Sequence, residues 1–442
     1  MGKLRFFARE KEISKLHSIR ALSKETSQMT VVTGRRRIGK TSLILKSLEG
    51  HDHLYFFVSR KAEEELCNDY MTEIAEKLKI PMLGHINRFS DIFSYLMELS
   101  KTRPMTVFID EFQDFLKVNK SVYSDMQRIW DLNKDESKMN LILCGSINTL
   151  MHKLFRNHKE PLYGRQTAQM NVKPFTPSVL KQILSEYNPD YTSEDLLSLY
   201  LYTGGVAKYV EQFVNNDCLT APQMLDAIME EDSLFLTEGK TILIEEFGKD
   251  YGKYFSILSL IANGHNTRSD LESILKTEIG GYISNLCNDY GLLAKHQPLF
   301  EKSPNKSMRY TIDDHFLRFW FRFLFKYNYM IEIGAFKKLK QIIERDYTTY
   351  SGHVLESYFR DKLIEQGDYT MLGYWHDRKG ENEIDLIAVD EIDKRVVFHE
   401  IKRQKKEIDI PILRAKTDVF LQTTGQFKGY DVSCQGLSME DM

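Results

Sequence analysis

Short hydrophobic runs alternate with amphipathic stretches over the first 175 residues of the chain. A helix is predicted over residues 9–24, where apolar positions recur at helical spacing. Five strand-like runs follow, with helical patterns between them, at residues 30–33, 54–59, 106–110, 141–145 and 169–172. Such alternation indicates an α/β fold with a parallel sheet covered by helices.

The strand pattern disappears after Pro174. Thr176 and Pro177 suit the N-cap and first position of a helix, and helical patterns cover residues 177–186, 196–202 and 207–214. We interpret this part as a small helical lid. Three further helices and two strands then follow in the order of a winged helix, at residues 254–262, 267–275, 281–290, 292–296 and 308–312.

An aromatic segment over residues 316–326 carries a basic residue at every fourth position. That pattern predicts a packed amphipathic helix, not a membrane span of about twenty apolar residues. The rest of the chain predicts a helix over 347–364, strands over 369–375, 383–389 and 395–401, a helix from Pro411 and a weak tail.

Composition narrows the location and the partners of the protein. The net charge of −3 over 442 residues gives no overall electrostatic case for nucleic acid or membrane, so any such surface is local. The five cysteines are scattered, which indicates reduced thiols and no zinc site. The N-terminus lacks the apolar region of a signal peptide. We expect a cytoplasmic protein with no membrane partner.

The first candidate site is a phosphate-binding loop between the strand at 30–33 and a helical run at 42–48. Its glycines let backbone N–H groups turn toward phosphate oxygens at a helix N-terminus. Lys40 would reach the β- and γ-phosphates, and the Thr41 hydroxyl would ligate Mg²⁺. The predicted cofactors are ATP and Mg²⁺, and the predicted binding residues are Gly34, Arg35, Arg36, Arg37, Ile38, Gly39, Lys40, Thr41 and Ser42. For the three arginines, a solvated run is an equal alternative to phosphate contact.

Two carboxylates end the strand at 106–110. Placed beside the strand before the loop, Asp110 would hold Mg²⁺ through water, and Glu111 would polarise the attacking water. The alternative is an ordinary strand followed by a capped helix, in which acidic residues are common.

Three more polar residues are candidates for the hydrolytic site. Ser146 and Asn148 follow the strand at 141–145, where either could hold the attacking water or sense the γ-phosphate, unless this is a simple strand-ending turn. Arg165 is a candidate stabiliser of transition-state charge, in cis or across a subunit interface.

These motifs together resemble the archaeal-type ATPase family within the AAA+/STAND group of P-loop proteins. The matching pieces are Phe6-x-x-Arg9-Glu10-x-Glu12-Ile13, the loop at 34–41, Ile109-Asp110-Glu111-Phe112-Gln113, Gly145-Ser146, the segment 161–165, and Gly204-Gly205-Val206-x-x-Tyr209. The resemblance covers roughly residues 1–240. It implies that Arg9-Glu10 lies near the adenine and that Gly204-Gly205 begins a sensing region of the lid. Ala207 stands where family members usually have proline.

A second set of carboxylates lies near the C-terminus. In a hairpin, Asp385 and Glu400 could face the same side and bind a divalent cation, Mg²⁺ or Mn²⁺, with Glu356 as a third acid. Lys402 lies on the same strand face as Glu400 and could activate a metal-bound water. This arrangement resembles the PD-(D/E)xK nuclease fold. The alternative is a surface hairpin with charges on its polar face.

The resemblance implies five parts. They are an ATPase core (1–174), a lid (175–245), a winged helix (246–315), a helical bridge that Asp314-x-Phe316-Leu317-Arg318-Phe319-Trp320 would begin (316–345) and a nuclease-like α/β domain of the restriction-endonuclease type (346–442).

The evidence for a DNA partner is divided. The predicted wing is basic, with Lys295, His296, Lys302, Lys306 and Arg309, yet the helix before it has no Lys or Arg. A second basic patch, beside the candidate nuclease site, is formed by Lys402, Arg403, Lys405, Lys406, Arg414 and Lys416. It suits a phosphate-backbone partner, and a solvated basic face is the commoner explanation of such runs.

The leading hypothesis is an ATP-hydrolysing switch or motor coupled to a nuclease-like domain that faces nucleic acid. The alternatives are a non-cleaving ATP-dependent regulator and a signalling ATPase with a protein partner or a homo-oligomeric state.

Overall fold

The structure is a computed structural model that describes residues 4–80, 84, 86–146, 148–248, 251–301, 308–377 and 380–442. The chain divides into two compact units. The first comprises Ala8–Lys173, and the second comprises the described part of Pro174–Met442 together with the described residues before Ala8. We call them the N-terminal unit and the C-terminal unit.

A five-stranded sheet forms the centre of the N-terminal unit, and every pairing in it is parallel. Its strands run in the order β2-β3-β4-β1-β5. They are β1 Gln28–Thr33, β2 Leu54–Phe57, β3 Met105–Asp110, β4 Met139–Cys144 and β5 Ala168–Asn171. The predicted parallel α/β sheet is therefore confirmed. The assumption that β3 lies beside β1 was wrong, because β4 is paired with both of them and separates them.

Helices cover this sheet, and their apolar sides form its core. They are α1 Glu10–Leu22, α2 Lys40–Leu48, α3 Glu63–Leu78, α4 Phe89–Thr102, α5 Phe115–Val118, α6 Val122–Asn133 and α7 Asn148–Arg156, with a 3₁₀ turn at Phe112–Asp114. Every residue of β3 and β4 is buried. Central parallel strands are covered on both faces, so their sequences are continuously apolar instead of alternating.

The C-terminal unit begins with helices and a hairpin. The helices are α8 Pro177–Tyr187, α9 Ser193–Thr203, α10 Ala207–Asn215, α11 Ala221–Ile228, α12 Leu234–Phe247, α13 Tyr251–Ala262, α14 Arg268–Leu275 and α15 Gly280–Asn288. Strands β6 Leu293–His296 and β7 Arg309–Ile312 pair antiparallel. The Thr267 hydroxyl accepts a hydrogen bond from the Asp270 N–H and caps α14. Helices α8 to α10 and the elements from α13 to β7 follow the predicted order within a few residues, whereas α11 and α12 were not predicted.

The rest of this unit contains a second sheet. After α16 His315–Phe319 come a π-helical segment Trp320–Phe325, α17 Asn328–Glu332 and the long α18 Phe336–Gln366. Strands β8 Met371–His376, β9 Glu383–Asp390, β10 Arg395–Ile401 and β11 Asp431–Leu437 form a sheet in the order β11-β10-β9-β8, with α19 Ile410–Thr424 before β11. Short 3₁₀ turns lie at Lys405–Glu407 and Met439–Asp441. Only the β10–β11 pairing is parallel in this sheet, among the residues described.

Three predicted segments have a different structure from the one expected. The aromatic segment is not one α-helix, because it widens to π geometry at Trp320. Helix α18 begins eleven residues before the predicted start, and the weak tail is strand β11. Most of β11 is exposed, so it carries no hydrophobic pattern that could have predicted it. In the parts of the chain that are described, no helix is both long and apolar enough to cross a membrane.

Candidate functional site

The loop at residues 34–41 connects β1 to α2, as the motif requires. Gly34 has a φ of +141°, and a Cβ atom at this position would lie 2.5 Å from the carbonyl oxygen of Val172. Only glycine fits that backbone and that approach. Gly39, with a φ of +92°, is the N-cap residue of α2, which starts at Lys40. The loop thus leads into a helix N-terminus, where backbone N–H groups and the helix dipole favour anions.

Lys40 is almost fully buried and lies inside the loop. Its ammonium donates hydrogen bonds to the carbonyl oxygens of Gly34 and Arg35, at 2.8 and 2.9 Å. Arg35, Arg36 and Arg37 are half-buried, and Arg37 has a φ of +65°. Ile38 is buried and anchors the loop in the core, whereas Ser42 is exposed. The lysine charge therefore lies where the loop turns its backbone inward.

Asp110 and Thr41 come together although β3, which ends at Asp110, and β1, which leads into the loop before Thr41, are not neighbours. The Thr41 hydroxyl donates to Asp110 Oδ2 at 2.7 Å, and the Tyr55 hydroxyl lies 3.4 Å from the same oxygen. A hydroxyl beside a carboxylate offers the hard oxygen ligands that Mg²⁺ takes in proteins. The pair therefore fits the predicted ion. Burial, together with the Asp110 charge, raises the pKa of Tyr55, so this phenol stays protonated.

Glu111 has an unusual backbone and a fixed side chain. Its φ of +53° is in the left-handed region, which is rare for a non-glycine residue and is found at strained functional positions. One carboxylate oxygen, Oε2, accepts hydrogen bonds from Gln113 Nε2 at 2.5 Å and from the Ser146 hydroxyl at 2.6 Å. Glu111 is therefore oriented by side chains from the turn after β3 and from the end of β4.

The sequence predicts a role for one of the two side chains that hold Glu111, Ser146, and not for the other, Gln113. Ser146 was one of two candidates after β4, and it contacts Glu111 because β4 is the neighbour of β3. Gln113 appeared only as a letter of the family motif, with no signal for its contact. Asn148 begins α7, and its side chain lies outside the described residues.

Arg165 lies in a surface ion pair. Its Nη2 is 3.1 Å from Asp131 Oδ2, and its Nη1 donates to the Tyr163 carbonyl oxygen at 2.8 Å. Arg9, the other arginine of the family motif, donates to the Lys173 carbonyl oxygen at 2.7 Å and pairs with Glu12. Arg9 thus ties the start of α1 to the end of the segment that follows β5.

The C-terminal carboxylates meet around one ammonium. Lys402 Nζ lies 3.3 Å from Asp385 Oδ2 and 3.7 Å from Glu400 Oε1. The β9–β10 pairing brings Leu386 opposite His399, which explains how the residues next to them come together. Burial alone would lower the pKa of Lys402, but the two carboxylates outweigh it and the pKa is raised. The predicted proximity of these three residues is present in the structure.

The carboxylates also have other partners. Asp385 Oδ2 accepts from the Ile401 N–H at 2.8 Å, and Glu400 Oε2 accepts from the Asp409 N–H at 2.9 Å. Glu356, on α18, lies 3.4 Å from His353 Nδ1. Within the described ranges, no three His, Cys, Asp or Glu side chains form a group that could hold a metal ion. As arranged, the Lys402 ammonium lies beside both carboxylates.

The basic patch predicted around residues 402–416 is largely paired internally. Arg403 bonds to Glu194 and to the Ser351 hydroxyl, while Lys416 lies 3.8 Å from Glu400 and Lys405 lies 3.6 Å from Glu440. Four of its six side chains therefore have acidic neighbours that the sequence does not show. On the hairpin, Lys295, His296 and Arg309 are described, and Lys302 and Lys306 lie outside the described residues.

Two segments of the chain match known protein families. Residues 6–213 match a family described as an ATPase domain predominantly from Archaea. Residues 320–413 match a family described as archaeal and bacterial proteins of unknown function. The protein MJECL04 of Methanocaldococcus jannaschii, called uncharacterized, is 30% identical over 417 residues, which cover 92% of this chain and 89% of that relative.

Two solved structures share the fold. The Walker-type ATPase PABY2304 of Pyrococcus abyssi has a TM-score of 0.54 at 21% identity, covering 72% of this chain and 96% of its own. The ORC2 protein of Aeropyrum pernix, in ADPNP–ADP complexes, has a TM-score of 0.51 at 16% identity, covering 78% and 97%. The chain belongs to the family of the M. jannaschii relative, and it is an archaeal-type P-loop ATPase.

Proposed function

We propose that this ATPase is a Mg²⁺-dependent switch or motor of the AAA+/STAND type. Lys40 and the N–H groups of the loop bind the β- and γ-phosphates of ATP, and Thr41 and Asp110 hold the ion. Bound Mg²⁺ would neutralise charge on the phosphate oxygens during transfer. The contact between Thr41, at the start of α2, and Asp110, at the end of β3, is the observation that supports this assignment.

In this proposal Glu111 positions the attacking water. Its carboxylate is held at Oε2 by Ser146 and Gln113, which leaves Oε1 to accept a proton from water. A positioned base of this kind contributes about 10²–10⁴-fold to a rate. The two hydrogen bonds also fix the direction of the carboxylate, so nothing has to reorganise when ATP binds.

Two substitutions test the ATPase assignment. Lys40→Ala should abolish ATP binding, and Glu111→Gln should retain binding while turnover falls about 10²-fold or more. Binding is measured by titration with ATP, and turnover by phosphate release. Unchanged turnover in Lys40→Ala would overturn the assignment. Ser124→Ala, an exposed position on α6, is the control.

For the C-terminal unit, we propose a PD-(D/E)xK-like nuclease fold that faces nucleic acid, preceded by a winged helix over 246–315. The supporting observation is that the Lys402 ammonium lies beside Asp385 and Glu400. These are the lysine and the two carboxylates of the D…ExK pattern. In this proposal Asp385 and Glu400 would hold a divalent cation, Mg²⁺ or Mn²⁺, which would supply an activated water. The Lys402 ammonium would orient that water for attack.

A nuclease assay decides this point. Wild type and Asp385→Ala are incubated with single- and double-stranded DNA and RNA, with and without ATP and Mg²⁺ or Mn²⁺. We expect cleavage that requires metal and disappears in Asp385→Ala, while Asp393→Ala, in the exposed β9–β10 turn, cleaves normally. Cleavage that persists in Asp385→Ala would reject the proposed site.

A second candidate function is a non-cleaving, ATP-dependent regulator that binds DNA, protein or further copies of itself. The observation in its favour is that the carboxylates at 385 and 400 already have an ammonium and backbone N–H groups as partners. Absence of cleavage in every condition of the assay, with intact ATP turnover, would select this function.

A further inference from the structure

A cavity of about 690 Å³ lies within the C-terminal unit. Its walls come from the β6–β7 hairpin, from α16 and α18, and from the neighbouring parts of β8 and β9. The volume is within the range of about 300–1,000 Å³ that is typical of small-ligand sites. The space therefore suits a ligand about the size of one nucleotide.

Six cationic side chains line this cavity: Lys295, Arg309, Arg318, Arg322, Arg345 and Arg360. Arg345 is paired with Asp346, Arg360 lies 3.8 Å from Asp361, and Arg322 donates to Asn263. Across the described ranges, Arg309, Arg318 and Lys295 have no ion pair within 4 Å, and Arg318 lies over the Tyr350 ring at 5.9 Å. Five carboxylates also line the cavity: Asp313, Asp346, Glu356, Glu383 and Asp385. Arg309 and Arg318 are half-buried, and guanidinium groups without an ion-pair partner favour a ligand with phosphate oxygens.

Buried polar atoms in the same walls lack partners. Among the described residues, the hydroxyls of Tyr350 and Tyr374 and Nδ1 of His315 make no hydrogen bond. Tyr350 and His315 are only 9% and 8% exposed. A buried polar atom without a partner costs about 1–3 kcal/mol, which a bound ligand would recover.

The hydrogen bonds of His315 show which kind of group it can accept. The Tyr200 hydroxyl donates to Asp361 at 2.7 Å, so its oxygen accepts from His315 Nε2 at 2.8 Å. Burial, with Arg318 and Arg360 nearby, lowers the pKa of His315 to about 3, so the ring is neutral. Nε2 then carries the proton, and Nδ1 is an acceptor. It suits a donor such as a sugar hydroxyl or a base amino group.

We propose that this cavity binds one phosphorylated nucleotide unit, either free or at the end of a single strand. The arginines contact the phosphate, and His315 and the two tyrosine hydroxyls contact the sugar or the base. Asp385 and Glu356 lie in the same walls, so a strand end held here would be next to the proposed nuclease carboxylates. The strand-end source rests on the proposed nucleic-acid function, and the free nucleotide does not.

Binding to the full-length Lys40→Ala protein tests the proposal, because that substitution silences the ATP site. The probes are AMP, adenosine, inorganic phosphate and a 5′-phosphorylated oligothymidylate, titrated in EDTA so that no cleavage occurs. We expect one equivalent of AMP or of the oligonucleotide to bind, with adenosine and inorganic phosphate at least tenfold weaker. Comparison of AMP with the oligonucleotide identifies the source of the ligand.

Arg318→Gln should weaken this binding at least tenfold, while Arg128→Gln, an exposed arginine of α6 outside the cavity, leaves it unchanged. Arg309→Gln on the hairpin is the second variant, and circular dichroism checks that each variant is folded. The proposal would be overturned if no probe binds, or if Arg318→Gln and Arg309→Gln both bind as tightly as the protein without these substitutions. If a probe binds in the cavity but the protein shows no nuclease activity, only the proposed nuclease function is rejected.

Discussion

At the scale of single residues, the candidate ATP site depends on a few contacts between the start of α2 and the ends of β3 and β4. Thr41, Asp110, Glu111 and Ser146 carry chemistry that their residue types predict. Their mutual contacts follow from the strand order, in which β4 brings Ser146 beside Glu111. The left-handed backbone of Glu111 is unfavourable in itself and is held by the surrounding structure.

Ser146→Ala removes one of the two side chains that hold Glu111. A hydrogen bond to a charged group contributes about 1.5–3 kcal/mol, so we expect kcat for ATP hydrolysis to fall about ten- to hundredfold. KM should stay nearly constant, because Ser146 orients the base and does not bind the phosphates in this proposal. Steady-state phosphate release checks both values, with Ser124→Ala as the control. An unchanged kcat would show that Glu111 is oriented without Ser146.

At the scale of elements, close packing explains where the helix prediction failed. The π-helical segment begins at Trp320, whose ring lies against Gly239 of α12. A Cβ atom at 239 would lie 2.3 Å from that ring. The indole N–H also donates to the Leu236 carbonyl oxygen at 3.1 Å. The aromatic pattern predicts a buried helix, and the structure adds the π geometry and this close contact with α12, which the pattern does not show.

Gly239→Ala tests that contact, because the added methyl group would overlap the Trp320 ring. Overpacking of a core commonly costs about 1–3 kcal/mol. Gly352→Ala in α18 is the matched control, since a Cβ atom there meets nothing within 4 Å. It should stabilise the protein by about 0.5–1 kcal/mol through helix propensity. Chemical denaturation of both variants measures the difference, and equal shifts would argue against the contact.

At the scale of the whole molecule, buried neutral histidines make stability depend on pH. Burial lowers the pKa of His399 in β10 to about 4 and that of His296 in β6 to about 4. In the unfolded chain these groups bind protons near pH 6.5. The unfolded state therefore binds more protons than the folded state between about pH 6.5 and 4, and stability falls as pH falls through this range.

We expect the midpoint of thermal unfolding to decrease steadily from pH 7 to pH 4.5. At pH 5, a shift from 6.5 to about 4 corresponds to about 2 kcal/mol of stability lost for His399 relative to neutral pH. His399→Phe should make this pH dependence less steep, whereas His158→Gln, on the surface, should not change it. An identical slope in His399→Phe would show that this histidine is not neutral in the folded protein.

Local sequence patterns are enough to predict the class of the core and most of its elements. Continuous apolar strands, capped helices and a loop with fixed glycines are local patterns, and local patterns can be recognised one segment at a time. The loop and Asp110 could be identified because each motif needs only its own strand, turn and helix. The C-terminal triplet was also found, because β9 and β10 are joined by a short turn that fixes their pairing.

Only the tertiary structure decided which distant residues meet. The strand order separated β3 from β1, the contacts of Gln113 and Ser146 oriented Glu111, and Glu194 took up Arg403. The cavity in the C-terminal unit combines side chains from segments more than sixty positions apart, such as Arg318 and Asp385. No periodicity encodes such a meeting, because it depends on how whole elements pack.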